Sequence, residues 1–187
     1  MTVEPREDDA AAVERALAGD PDAFGEIVSR YHRAVFSIAY RMTGSRAEAE
    51  DLCQDVFLRA YRGLDRFDRT LPFGPWLRRI ASNAALNHLR HRAVSRSSAS
   101  EAEGEEQSVP DPASGPEERA ASAETADRLG RALAALPANQ RLAFTLKYVE
   151  DLTAEEVAQA MDAPRNTVKT WLLRAREALR RELADEL

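Results

Sequence analysis

A short basic segment near the C-terminus has the residue types and spacing that suit contact with DNA. No Asp or Glu occurs between Pro164 and Arg176. Helical spacing places the apolar side chains of this segment on one face, namely Val168, Leu172, Ala175 and Leu179. It places basic and hydroxyl groups on the other face, namely Arg165, Lys169, Thr170 and Arg174. Such a face can contact phosphates and the guanine edges of the major groove.

The residues before this segment predict a helix-turn-helix that would position it. Thr153 and Glu156 form a capping box, so a first helix should begin near Ala154. Pro164 cannot continue that helix, but it suits the first turn of the next one. The first helix is acidic and the second is basic, which favours insertion of the second helix into the major groove. Two more helices are predicted, around residues 129–136 and 138–149, and the second of these would brace the pair.

A second basic segment lies in the middle of the chain and could hold unstacked bases. There is no acidic residue from Arg69 to Ser100. A loop rich in Pro and Phe, residues 64–75, leads into a helix predicted from Trp76 to about Arg92, on which Asn83 and Asn87 share a face. The alternative is that the loop aromatics plug a helical bundle and the arginines are solvated.

Two capped helices precede that segment. Asp20-Pro21-Asp22 predicts the start of a long apolar-striped helix that ends near Thr43-Gly44. Ser45 and Glu48 predict a second capping box and a helix over roughly 46–63. Its inward side chains are expected to be Ala49, Leu52, Cys53, Val56, Phe57, Ala60 and Tyr61. Its polar face carries Asp51, Gln54 and Asp55, which are either solvated or a docking surface for a basic partner.

Composition indicates an all-α chain of two small helical domains joined by a flexible linker. The expected divisions are a tail with a short helix (1–19), a first domain (20–93), an acidic disordered linker (94–124) and a second domain (125–187). The net charge is −6. Residues 95–127 carry 2 basic and 9 acidic groups, whereas residues 20–94 carry 12 basic and 9 acidic groups. The acidity therefore lies largely outside the segments expected to contact DNA.

Other classes of function lack support in the sequence. The single cysteine, Cys53, excludes an internal disulfide and a cysteine-based zinc cluster, and we expect it to be buried. No apolar run has transmembrane length and the N-terminus is acidic, so a cytoplasmic protein without membrane contact is expected. In the sequence, no carboxylate or cysteine pair stands at matched spacing to His32, His88 or His91, and no Gly-rich phosphate loop is present. We therefore expect no catalytic residue, no metal and no cofactor.

Several segments together resemble the extracytoplasmic-function (ECF) class of bacterial sigma factors, within the sigma-70 family. The matching segments are DAFGEIVSRYHRAVFSIAYRMTG, AEDLCQDVFLRAYR, PWLRRIASNAALNHLR, LPANQRLAFTLKYVEDLTAEEVAQAM and NTVKTWLLRAREALR. The resemblance implies that the first domain is sigma region 2, which binds the β′ coiled coil of core RNA polymerase and melts the −10 promoter element. It implies that the second is sigma region 4, which reads the −35 element and sits on the β flap. An anti-sigma factor is an expected further partner.

The resemblance also assigns roles to individual residues. Polymerase docking falls to Asp51, Gln54 and Asp55. Contact with −10 DNA falls to Phe73, Trp76, Arg79, Asn83, Asn87 and Arg90. Contact with −35 DNA falls to Arg165, Thr167, Lys169, Thr170, Leu173, Arg174 and Arg176. Trp171 departs from the family pattern, because such helices often carry a basic residue there; it would either pack on the bracing helix or touch a thymine methyl.

A different class of protein shares the helix-turn-helix. A regulator that binds operators as a dimer would need tight DNA binding without polymerase, with its N-terminal half serving as a sensor or partner domain. The overall charge opposes tight binding of the free chain to a polyanion. Docking on polymerase would instead hold two weak DNA-contacting modules at promoter spacing and turn them into one strong contact.

Overall fold

A computed structural model describes residues 7–98 and 128–184, and all regular structure in these two ranges is helical. The N-terminal half contains α1 (Glu7–Leu17), α2 (Pro21–Thr43), α3 (Arg46–Gly63), a 3-10 turn (Leu64–Arg66) and α4 (Phe73–Ser98). The C-terminal half contains α5 (128–135), α6 (Ala138–Tyr148), α7 (Ala154–Ala160) and α8 (Arg165–Ala184). The predicted all-α fold with two helical domains is confirmed, and most of the predicted linker lies outside the described residues.

Local capping explains where the N-terminal helices begin and end. Asp20 accepts a hydrogen bond from the backbone of Asp22, and Pro21 occupies the first turn of α2. Gly44 ends α2 with φ 74°, a left-handed conformation that costs glycine least. Ser45 caps α3 as predicted, but the carboxylate of Glu48 does not accept the reciprocal hydrogen bond from the backbone N–H of Ser45. Instead it pairs with His88 and Arg92 of α4, at 2.8 and 3.0 Å, and links the two helices.

The helix-turn-helix has the predicted architecture. Thr153 and Glu156 form a complete capping box at the start of α7. The turn passes through Asp162 at φ 51°, and the backbone N–H of Val168 donates to the carbonyl of Pro164 in the first turn of α8. α6 packs against α8, so the expected bracing is confirmed.

The two halves pack against each other, which the sequence did not predict. α2 contacts α6, α4 contacts both α6 and α7, and one core cluster runs through both halves. Arg141 of α6 donates to the carbonyl of Met42 at the end of α2, at 2.8 Å, and also reaches the carbonyls of Ala134 and Leu136. A single guanidinium therefore satisfies helix-end carbonyls of both halves.

Two details of the N-terminal half differ from expectation. α4 begins three residues before Trp76 and continues to Ser98, past the predicted linker boundary at residue 94. Tyr61 was expected to face inward, but it is 55% exposed and its ring meets that of Phe24 edge-on at 5.0 Å. The prediction for Tyr61 was wrong because Ala60 and Leu64, which are 0% and 2% exposed, form the buried side of this turn, and Tyr61 lies outside it. Within the described residues, no helix has the length and apolarity needed to cross a bilayer.

Candidate nucleic-acid interface

The outer face of α8 presents nearly every side chain assigned to −35 DNA. Six of the seven are exposed: Arg165, Lys169, Thr170, Leu173, Arg174 and Arg176. Thr167 is half-buried. The opposite face of α8 buries Val168, Leu172, Ala175 and Leu179, as the spacing predicted. The helix is thus fixed along one side and offers a continuous basic surface on the other.

Contacts within the helix-turn-helix constrain part of this surface. The Thr170 hydroxyl donates to the carbonyl of Asn166 at 3.0 Å, one turn earlier. Arg165 pairs with Glu155 of α7 at 3.3 Å, and both side chains are well exposed, so water and salt screen this pair. Trp171 is half-buried and packs against the core, which agrees with the packing alternative for this position.

A stripe of polar side chains runs along the outer face of α4. Asn83, Asn87 and Arg90 are exposed and follow one another at helical spacing. The guanidinium of Arg90 donates to the side-chain oxygen of Asn87 at 3.2 Å. Amide and guanidinium groups provide the donors and acceptors that base edges and phosphates need. The structure therefore brings these three assigned residues together.

Phe73 is a correction to the assigned −10 set. It is 3% exposed, and its ring lies 5.5 Å from Phe67 and 5.3 Å from Trp76. Trp76 is half-buried and closes the same cluster, at 4.9 Å from Phe67. A ring this deeply buried is not available to stack on a base, so Phe73 anchors the loop instead. Phe67, which the sequence reading did not single out, completes the anchor, whereas Leu71 of the same loop is 59% exposed.

The side of α4 opposite the stripe faces the C-terminal half. Arg78 is 9% exposed, and Ser82 one turn later is fully buried. Arg78 Nε and Ser82 Oγ have no hydrogen-bond partner in the described parts of the chain, and the same holds for the buried hydroxyl of Thr145 in α6. Buried polar atoms without partners cost about 1–3 kcal/mol each. These three atoms therefore make the packing around them less favourable than an apolar core.

Charged groups at the edge of the interface connect the two halves. Arg79, an assigned −10 residue, pairs with Asp162 in the helix-turn-helix at 2.9 Å, with both side chains largely exposed. Glu150, in the segment between α6 and α7, is partly buried; burial raises its pKa, and a hydrogen bond with Ser37 of α2 acts in the opposite direction. Arg79 is thus the assigned DNA-contacting residue of α4 that the C-terminal half engages directly.

The assigned docking residues of α3 lie beside exposed apolar groups. Asp51 and Gln54 are exposed, and Asp55 is half-buried with an ion pair to Arg59 at 2.8 Å. Leu58 is 46% exposed and continues the face of Asp51 and Gln54 by helical spacing. Acidic groups next to exposed leucine and tyrosine form a surface suited to a protein partner. Leu58 was assigned neither to the predicted inward face nor to the docking residues, although its spacing from Gln54 places it on the exposed face.

Cysteine and metal chemistry have no support at these surfaces. Cys53 is buried as predicted, and burial raises its pKa to about 11, so the thiol is unreactive at neutral pH. Across residues 7–98 and 128–184, no cluster of three or more His, Cys, Asp or Glu side chains could hold a metal ion.

Both halves of the chain are similar to known proteins. The sigma-70 region 2 family matches residues 27–94, and the sigma-70 region 4 family matches residues 126–179. The chain is 35% identical to the ECF RNA polymerase sigma factor SigW of Bacillus subtilis over 179 residues, covering 92% of this chain and 95% of that protein. It is 38% identical to the ECF RNA polymerase sigma-E factor of Escherichia coli K12 over 176 residues, covering 91% and 92%.

A solved structure shows that the fold is shared. The sigma factor RpoE of Bartonella quintana, in complex with the anti-sigma factor NepR, superposes with a TM-score of 0.68 at 23% identity, covering 86% of this chain and 96% of that one. The two family matches and the near-complete coverage of the relatives together show the family of the chain. The chain belongs to the ECF class of RNA polymerase sigma factors.

Proposed function

We propose that this chain uses three separate surfaces to direct core RNA polymerase to promoters. The acidic and apolar face of α3 docks on the β′ coiled coil through Asp51, Gln54 and Asp55, with Leu58 added from the structure. The stripe on α4 contacts the −10 element, and the basic face of α8 contacts the −35 element. The observation that carries the proposal is the segregation of these surfaces on three helices, each backed by packed core on its other side.

The two DNA surfaces suit different forms of DNA. The face of α8 is convex, basic and continuous, which suits duplex DNA read in the major groove. The stripe on α4 combines amides with a neighbouring loop whose Leu71 is exposed, which suits bases that have left the duplex. Unpairing costs a few kcal/mol per base, and contacts in the loop and on the stripe would offset this cost. These steps require no covalent chemistry and no cofactor.

Two further partners follow from the family. The C-terminal half would rest on the β flap. An anti-sigma factor would cover the polymerase- and DNA-binding faces; the RpoE structure is itself a complex with an anti-sigma factor. The chain would act in the cytoplasm, where polymerase and promoters are. A dimeric operator-binding regulator has no structural observation in its favour.

The test is run-off transcription with core polymerase on a library of randomised −35 and −10 elements. We expect no transcript without the chain, and enrichment of defined bases at both elements in its presence. Enrichment at one element alone would contradict the proposal that the chain recognises both promoter elements. A gel shift on an enriched promoter should require core polymerase, and tight binding by the chain alone would favour an independent regulator.

Docking is tested with a variant of the α3 surface. Gln54→Ala should weaken binding to core polymerase, because it removes an exposed amide from the centre of the face. Glu14→Ala, an exposed change on α1, is the matched control and should bind as the unmodified chain does. Equal core binding by both variants would place the docking surface elsewhere.

A further inference from the structure

A buried ion pair joins α1 to α2. Asp9 of α1 is 4% exposed, and its carboxylate accepts hydrogen bonds from the guanidinium of Arg30 and, at 2.5 Å, from the hydroxyl of Tyr31. A buried carboxylate is stabilised only when it is paired and hydrogen-bonded, so this contact holds α1 in one position on α2. Burial, followed by the hydrogen bond to Asp9, raises the pKa of Tyr31, so the hydroxyl stays protonated and donates.

The same tyrosine reaches the start of α4. The Tyr31 ring lies 5.7 Å from that of Phe73. A Cβ on Gly74 would lie only 3.2 Å from the Tyr31 hydroxyl oxygen and 3.5 Å from Nη1 of Arg78. The hydroxyl therefore lies against the backbone of the first turn of α4. Asp9, Tyr31 and Gly74 form a continuous chain of contacts across three helices.

α1 also contacts the other end of the same loop. It packs on the 3-10 turn Leu64–Arg66, where the loop leaves α3. Between the two anchored ends, the backbone N–H and hydroxyl of Thr70 both donate to the Asp68 carboxylate, at 3.0 and 2.7 Å. Leu71 at this turn is exposed. The loop is thus held at both ends by α1 and its contacts, while its middle faces solvent.

We propose that Asp9, acting through Tyr31, is a positioning residue for the loop that precedes α4 and thereby for base selection at the −10 element. This inference rests on the proposed function, in which that loop and the stripe on α4 contact the −10 bases. Asp9 lies before residue 27, where the match to region 2 begins. A small displacement of the first turn of α4 would move the loop and the stripe together, because both are continuous with it.

The experiment measures base selectivity with the full chain and core polymerase. The best −10 element and its single-base variants compete in one transcription reaction, and the ratio of their transcripts is the readout. This ratio is independent of the fraction of folded protein, because unfolded chains make no transcript. The variants are Asp9→Asn, Tyr31→Phe and the double variant. Glu26→Gln is the control, because it removes the exposed pair with Arg15, at 2.6 Å, which also joins α1 to α2.

We expect Asp9→Asn and Tyr31→Phe each to lower the selectivity ratio at least threefold. The double variant should lower it no further than the more severe single change, because both act through one contact. Glu26→Gln should leave the ratio unchanged. Unchanged ratios in Asp9→Asn and Tyr31→Phe, beside a selective unmodified chain, would overturn the inference whatever happens to total transcript. A ratio of one for the unmodified chain would instead overturn the proposed −10 function.

Discussion

The two helices assigned to DNA, α4 and α8, differ in how many of their sides are packed. α8 is backed by core along one side, and the rest of its surface is free for contact. α4 packs on α2 and α3 in its own bundle and also on α6 and α7 of the other half. The arginines on the outer face of α8 are exposed, whereas Arg78 of α4 is only 9% exposed. Charge alone identifies a contact face only on a helix with one packed side.

The difference in packing between α4 and α8 predicts its largest effect at Phe73, in the first turn of α4. Replacing it with Ala should lower the free energy of unfolding by about 3–5 kcal/mol, because the ring fills an aromatic cluster at the start of α4. Urea denaturation measures the change. Leu173→Ala on α8 is the control and should stay within about 0.5 kcal/mol, since that side chain is 54% exposed. A small stability change together with a specific loss of −10 recognition would restore Phe73 as a base contact.

The stripe on α4 should show the opposite behaviour. Asn83→Ala should lower transcription roughly 5- to 150-fold, the equivalent of about 1–3 kcal/mol for a lost base contact. Its free energy of unfolding should change by less than about 0.5 kcal/mol, because Asn83 is exposed. Run-off transcription and urea denaturation on the same preparation separate the two effects. A loss of stability that accounts for the loss of transcript would make Asn83 a structural residue.

The basic face of α8 should respond to salt. Lys169→Ala and Arg174→Ala should each weaken −35 binding several-fold. Each should also reduce the slope of log affinity against log salt concentration by about 1 where the lost contact is to phosphate. Titration of the holoenzyme on promoter DNA at several salt concentrations measures this. Arg180 lies on the same helix but beyond the N-terminal part that enters the groove. Arg180→Ala should therefore leave the salt dependence of the affinity unchanged.

The smallest expected effect concerns the junction of the two halves. Burial raises the pKa of Glu150 above its ordinary value of 4.5, so the folded chain binds this proton more tightly than the unfolded chain. Stability should therefore fall as pH rises from about 4.5 through the raised pKa. Glu150→Gln should remove this component, which thermal unfolding of both proteins over that interval would show. An identical pH dependence would mean that Glu150 titrates alike in the folded and unfolded chains.

Local signals made much of the fold predictable. Asp20, Gly44 and the Thr153–Glu156 box set helix ends through contacts within a few residues, and these were read correctly from the sequence. The face of α8 followed from helical spacing. The extension of α4 to Ser98 was missed, because Val94 and the three serines after Arg92 have only moderate helix propensity.

Contacts between residues far apart in the sequence could not be predicted from such local signals. The residues around Phe73, which include Pro72 and Gly74, are equally compatible with a buried ring and with a ring exposed for base stacking. The packing of the folded chain decides between the two. The link from Asp9 to Tyr31 joins residues 22 positions apart, and the contact of Arg141 with Met42 joins residues 99 positions apart. Such pairs depend on how helices pack, and no spacing rule encodes them.

Because the contact between the halves is intramolecular, it behaves differently from a contact between two chains when the protein concentration changes. Both sides of the interface built around Arg141 belong to one chain, so the fraction of molecules in which it is formed does not change with protein concentration. A ligand that binds only when the halves are apart must overcome the same free-energy cost of opening at every expression level. Its apparent dissociation constant is its intrinsic value divided by the fraction of open molecules. Overproducing the protein therefore supplies more open molecules only in proportion to its amount.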